Sequence, residues 1–189
     1  VKWCVKGFKQ TYKKLKINFD VWFYEHNFRE KGKELVYLAL AKNIAFKSEE
    51  GTVIAKLEDY NLPNTVILRS DGTGLYFTSD LGLTLHKFEK FKLNKSIWVV
   101  SSQQSLYFKQ LFKFLELLGF EFAKNCYHCS FEHVNLPEGK MSSREGKAIL
   151  LDEVINMLEK KAKEEVEKRN PRKSKRKIGI VAKKIAIGA

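Results

Sequence analysis

The run Ser96-Ile97-Trp98-Val99-Val100 constrains the fold more than any other stretch of the chain. It is short and mostly apolar, and it reads as a parallel strand buried on both faces. A helix pattern follows at once. Phe108, Leu111, Leu115 and Leu118 share one stripe, and Gly119 supplies the stop. Phe120 to Phe131 is extended and has room for another strand. Strand, helix, strand is the repeating unit of an open α/β sheet. Such sheets take ligands beyond the carboxyl ends of their strands. Ser101 to Gln104 therefore sit at a functional edge.

The flanking segments predict further elements. Phe8, Tyr12 and Leu15 fall on one helical stripe, and Ile17, Phe19 and Val21 alternate as a short strand would. Lys33 to Lys42 reads as a helix with Leu35, Leu38 and Ala39 inward. From Ile44 to Thr78 the pattern is strand-rich. Val53 to Leu57 can pair with Ala45-Phe46 or with Thr65 to Arg69. Asp71-Gly72-Thr73-Gly74 is a turn, after which Leu75 to Thr78 returns as a strand. Asp80 then opens a helix carrying Leu81, Leu85 and Phe88 on one face, with its acid in the first turn, where the helix dipole favours it. Asp152 to Arg169 is a long helix with a narrow stripe of Val154, Leu158, Ala162 and Val166. Asn170 to Lys177 reads as a basic linker, and an apolar stripe resumes through Ile178, Val181, Ile185 and Ile187.

Charge narrows the class of partner. The 189 residues carry a net charge of +13. Such an excess attracts polyanions: nucleic acid, nucleotides or an anionic membrane surface. With 44% apolar residues the chain can pack a core. No apolar run reaches the length of a membrane span, and the three cysteines, Cys4, Cys126 and Cys129, make no disulfide framework. A reducing cytoplasmic setting is expected. The chain begins at Val1 and stops at Ala189 soon after an amphipathic pattern starts, so a fragment or one piece of a split protein is expected.

The sharpest motif is Leu136-Pro137-Glu138-Gly139-Lys140-Met141-Ser142-Ser143-Arg144-Glu145-Gly146-Lys147. A lysine, two hydroxyls and flanking glycines suit a loop that closes on phosphate oxygens as charge develops there. The plain alternative is a solvated basic loop. Lys-Met-Ser-Ser reached through Pro-Glu-Gly resembles the signature loop of class I aminoacyl-tRNA synthetases. Where that family's usual pattern has a second lysine, this chain has Ser143, a variant familiar in the arginyl branch. The resemblance implies that Lys140, Ser142 and Ser143 serve catalysis, with Lys140 the principal phosphate ligand.

A second stretch makes the resemblance specific. Arg69-Ser70-Asp71-Gly72-Thr73, then Tyr76, Thr78 and Asp80, is similar to the arginine-site segment of arginyl-tRNA synthetases. Ser102-Gln103-Gln104, the run Tyr107 to Phe112 and the run Leu115 to Gly119 match the strand and helix that follow it. The resemblance covers most of residues 8 to 160. It implies that Tyr76, Asp80 and Gln104 bind arginine, whose planar fork of donors prefers a carboxylate. It also implies an adenine side of an ATP pocket formed by His128, His133, Val134 and Met141, with Lys140 on the phosphates. Taken singly, Tyr76 is as readily a strand aromatic, Asp80 a helix cap and Gln104 a surface amide. Cys126, His128 and Cys129 supply three candidate zinc ligands with no cluster to complete them, so packing is the better reading.

The resulting expectation is an α/β fold: a partial Rossmann-like nucleotide-binding fold with a strand-rich insertion and a C-terminal helical stem. Residues 1–150 would be the second half of a class I catalytic domain, and residues 151–189 a stem, linker and start of an anticodon-binding domain. The implied activity is ATP-dependent, Mg²⁺-accompanied attachment of L-arginine to tRNA(Arg). No His-Ile-Gly-His-type motif occurs in the chain. The resemblance therefore implies that a missing N-terminal half must act as partner and that the chain alone is inactive. Arg169, Arg172, Lys173, Lys175, Arg176 and Lys177 form a basic run suited to tRNA contact. Two alternatives remain open: a non-catalytic RNA-binding module, and another class I nucleotidyl transferase.

Overall fold

The computed structural model describes residues 2–132 and 150–188. These divide into two compact units, one of residues 22–132 and one of residues 2–21 with 150–188.

In the first unit, helix α2 (Arg29–Ala41) leads into an antiparallel sheet of β1 (Ala45–Lys47), β2 (Val53–Ala55) and β3 (Thr65–Leu68). The two pairings open to β2 both occur, since it lies between β1 and β3. Helix α2 turns Leu35, Val36 and Ala39 inward and leaves Leu38 exposed, so Val36 takes the inward place expected of Leu38.

The expected return strand at Leu75–Thr78 does not form. A single bridge, Leu68 to Gly74, closes the turn, and helix α3 (Tyr76–Phe91) begins directly. Thr78 explains the switch. Its Oγ accepts from Leu75 N at 3.0 Å and donates to the Ile67 carbonyl, capping the first turn and fastening it to β3. Asp80 consequently lies in the second turn of α3 and does not open the helix. Helices α2 and α3 approach so closely that only glycine fits at two positions. A Cβ on Gly32 would lie 1.8 Å from the Thr78 carbonyl oxygen, and one on Gly82 would lie 2.4 Å from that of Phe28.

Strand β4 (Ser96–Ser101), helix α4 (Ser105–Leu117) and strand β5 (Cys126–Phe131) form the expected parallel unit. Gly119, with φ of 96°, ends the α4 segment, and Lys42 Nζ donates to the neighbouring Leu118 carbonyl at 2.8 Å. Within Phe120–Phe131 the stretch Glu121–Asn125 is a 3₁₀ turn and only the remainder is strand. Strand β4 is covered on one face, not both. Trp98 and Val100 pack toward the core formed by Phe108, Leu111, Phe114 and Leu115. Ile97 and Val99 are exposed, as are Tyr127 and Phe131 on β5, because a two-stranded sheet with α4 on one side leaves its other side uncovered among the described residues.

The second unit holds α1 (Lys2–Lys14), α5 (Leu151–Arg169) and α6 (Lys175–Gly188). Ile17–Val21 forms no strand. The backbone folds back, with Ile17 N donating to Tyr12 O at 2.9 Å, and Phe19 packs edge-on against Tyr12 at 4.9 Å. On the α1 stripe, Tyr12 and Leu15 are half-buried and Phe8 is exposed. Helix α5 buries Ile155 and Val166 only. Helix α6 starts inside the stretch expected to be linker. It packs on α5 through Ile178, Ala182 and Ala186, and Ile185 points outward. The small alanines permit the closer approach.

The architecture is thus α/β, with a Rossmann-like β4–α4–β5 segment, a strand-rich β1–β3 segment and a helical stem. Among the described residues no helix is long and apolar enough to cross a membrane.

Candidate functional site

Helices α3 and α4 each bring one polar side chain to a shared point. Asp80 projects from the second turn of α3 and Tyr107 from the first turn of α4. The Tyr107 hydroxyl donates to Asp80 Oδ2 at 2.5 Å. Phe77, buried on α3, meets the Tyr107 ring edge-on at 5.7 Å and Phe114 at the same distance, which fixes the phenol. A second carboxylate stands nearby. Glu25, in the 3₁₀ turn Glu25–Phe28, accepts from Ser79 Oγ at 3.3 Å and pairs with Arg29 at 3.7 Å.

These groups border a cleft of about 500 Å³, large enough for a small-molecule ligand. Its lining includes Glu25, Asn64, Arg69, Tyr76, Phe77 and Tyr107. Tyr76 is 71% exposed at the first position of α3, so its ring is open to a ligand.

The electrostatics favour a cationic guest. Burial raises the Asp80 carboxyl above its ordinary value, and the Glu25 charge adds to the rise. The Tyr107 hydrogen bond and the Lys87 ammonium oppose it. Burial together with Asp80 drives the Tyr107 phenol far upward, so it remains a hydrogen-bond donor at any working pH. Two carboxylates sharing a partly dry site lack a strong cationic partner at the cleft itself. A planar guanidinium would supply one, with donors for both acids.

Of the residues expected to bind arginine, Tyr76 lines the cleft and Asp80 adjoins it through Tyr107. Gln104 ends the 3₁₀ turn Ser102–Gln104, exposed, one helical turn ahead of Tyr107, and is not part of the cleft lining. Sequence reasoning missed Glu25 and Asn64 and gave Tyr107 no role. No local pattern marks Glu25, whereas Tyr107 lies in the run Tyr107 to Phe112 that carried the resemblance.

His128 lies on β5 with Nε2 2.9 Å from the Val100 carbonyl and its ring stacked on Phe108 at 4.5 Å. Strand alternation puts Cys129 on the face opposite His128, so the two cannot converge on one ion. His133, Val134, Lys140, Met141, Ser142 and Ser143 lie outside the described residues.

A sequence model described as "tRNA synthetases class I (R), catalytic domain" matches residues 2–189. The chain belongs to this class I (R) synthetase family. It is 40% identical to the arginine–tRNA ligase of Treponema denticola over 187 residues, which cover 99% of this chain and 32% of that protein. It is also 40% identical to the arginine–tRNA ligase of Bdellovibrio bacteriovorus, over 83% of this chain and 27% of that protein. The chain therefore spans about a third of the length of the curated relatives it matches.

Solved structures share the fold. The arginyl-tRNA synthetase of Thermus thermophilus superposes with a TM-score of 0.75 at 21% identity, over 95% of this chain and 36% of that one. That of Plasmodium falciparum gives 0.73 at 15% identity, over 96% of this chain and 30% of that one. The class I synthetase segment in hand thus places two carboxylates and a locked phenol beside one cleft.

Proposed function

We propose that this chain supplies the amino-acid pocket of an ATP-dependent arginine–tRNA ligase. The observation that carries the proposal is the Tyr107–Asp80 hydrogen bond beside a cleft that also holds Glu25. The chain carries a +13 charge, yet this site gathers acids, as recognition of a cationic substrate requires. Asp80 takes the guanidinium, Glu25 neutralises a second positive edge, and Tyr107 holds Asp80 in place. Tyr76 packs on the substrate from the open side. Gln104 adds a polar contact from the α4 side once the rest of the catalytic domain is present.

The family resemblance extends the proposal to ATP and tRNA(Arg). Lys140, with Ser142 and Ser143, steadies the ATP phosphates as pyrophosphate leaves, and His128, His133, Val134 and Met141 border the adenine. Mg²⁺ enters with the ATP phosphates. Among the described residues no group of three or more His, Cys, Asp or Glu side chains is placed to hold a metal ion, so no step is assigned to the metal. The exposed apolar face of Ile97, Val99, Tyr127 and Phe131 supports the need for further strands from the remainder of the catalytic domain. That remainder holds ATP from the other side. One phosphate clamp without the other leaves the transition state half-neutralised.

Calorimetric titration of arginine into the full chain tests the pocket. Saturable binding abolished by Asp80→Asn supports it; no binding at any pH refutes it. Arginylation assays test the rest. The chain alone turns over no tRNA, and adding a chain with the family's first half restores turnover that Lys140→Ala then lowers. Turnover by the chain alone, or an unaffected Lys140→Ala enzyme, contradicts the assignment.

A further inference from the structure

Beneath the cleft, the inner faces of α3, β4 and β5 enclose a lysine. Lys87 lies seven residues after Asp80 on α3, on the same stripe as Thr84, whose hydroxyl donates to the Asp80 carbonyl at 2.6 Å. Side chains on a helix lean toward its N-terminus, so the long Lys87 stem runs back toward Asp80. Its ammonium lies 3.7 Å from the centroid of the Trp98 ring and donates to Ser96 Oγ at 3.1 Å. Cys126 pairs with Ser96 in the parallel register and so flanks the same point. Trp98 Nε1 is buried without a partner among the described residues, so the indole contributes its ring face to the cation, not its N–H.

A lysine is rarely buried unless a charge answers it. The groups facing Lys87 are Ser96 and Trp98 from β4, Cys126 from β5 and Asp80 from its own helix. Burial pushes the Cys126 thiol up to about 11, so it is neutral at physiological pH. That leaves Asp80 as the anion. The groups facing Asp80 are Tyr107 from α4, Glu25 from its 3₁₀ turn and Lys87. Tyr107 donates a hydrogen bond but carries no charge, and Glu25 repels. Lys87 is the one cation among them.

We propose that Lys87 is a positioning residue of the cleft: a built-in counter-ion that compensates the Asp80–Glu25 carboxylates while no substrate cation is bound. It rests on the reading of Asp80 as the guanidinium acceptor. Without it the acids would shed charge by holding a proton, and an incoming guanidinium would meet a neutral acid. With it, the site is kept anionic from below while its open side stays free. The Trp98 face and Ser96 hydroxyl hold the ammonium back from the cleft, so it does not block the substrate's place.

Carbon-13 NMR of the labelled Asp80 carboxylate in the full, substrate-free chain tests this. Lys87→Met should raise the Asp80 midpoint by about one pH unit, and Lys87→Arg should bring it back toward wild type. Arginine binding by Lys87→Met should fail at a correspondingly higher pH, with affinity on the alkaline plateau retained. A merely structural lysine would lower the plateau and leave the midpoint in place. Should Lys87→Met not fold, the reciprocal measurement decides: Asp80→Asn should lower the Lys87 ammonium midpoint. An Asp80 midpoint unmoved in folded Lys87→Met, or a Lys87 midpoint unmoved in Asp80→Asn, overturns the proposal. If the midpoints shift while arginine binds neither protein, the coupling stands and the arginine reading falls.

Discussion

Helices α3 and α5 are built from similar materials and use them in opposite ways. Helix α5 has 19 residues, many charged, and buries only two. Its pair Glu165–Arg169 is largely in water. Helix α3 has 16 residues and buries seven, three of them polar: Thr78, Ser79 and Thr84. Its Asp80 and Lys87 lie inside. Where charge is solvated it costs little and specifies little, and its sum draws polyanions. Where charge is withdrawn from water, each group needs a named partner, and an unmet need becomes a recognition site.

The sharpest way to break α3 is at its crossing with α2. Gly32→Ala would drive a methyl into the Thr78 carbonyl, and we expect about 3 kcal/mol of destabilisation, read by urea unfolding. A next perturbation separates stability from function. Asp80→Asn should weaken arginine binding by about 30-fold or more, the cost of removing one partner of a hydrogen-bonded charge pair. The same substitution should stabilise the substrate-free chain at neutral pH. Asp80 has a folded pKa raised above its unfolded value, so its charged form is penalised on folding. Its contribution to stability is fully present below the ordinary carboxylate range and is lost as pH rises through the raised folded value. Melting curves of the two proteins should therefore coincide at acid pH and separate above it, with the asparagine variant melting higher.

The solvated charges should respond more gently. Glutamine at Arg172, Lys173, Lys175, Arg176 and Lys177 together should weaken tRNA binding. The slope of log affinity against log salt should flatten by roughly 0.7 to 0.9 for each phosphate that is no longer neutralised. A slope that stays as steep would move the RNA-binding face elsewhere. Smallest of all, Arg169→Ala should change the unfolding free energy by less than about 0.5 kcal/mol, since an exposed i, i+4 pair holds little.

How far the sequence disclosed these differences follows from the range of the forces involved. The β4–α4–β5 order was legible because hydrophobic period and a stop glycine are local signals. The same signals misplaced the start of α3. Leu75 to Thr78 alternates like a strand, but Thr78 reaches across to Ile67, and such a tertiary hydrogen bond leaves no periodic trace. The rotation of α6 was hidden for a similar reason: alanines carry little weight in an apolar stripe, yet they allow close helix packing. Asp80 and Tyr76 were reachable through resemblance. Glu25 was not, since it stands 55 residues from Asp80 and only folding brings its charge to bear there. Lys87 read as one more surface lysine because nothing in the chain announces the indole above it.

The comparison of arginine with citrulline bears most directly on the cleft. The two differ little in shape, but citrulline's ureido group is neutral and has an acceptor where the guanidinium has donors. Competition binding at pH 8 should show wild-type protein favouring arginine by about 30-fold or more, the scale of a desolvated charge pair. That preference should collapse in Asp80→Asn. Equal binding of arginine and citrulline by the wild-type protein, or a preference undiminished by Asp80→Asn, would contradict a cleft that reads the substrate's charge through Asp80.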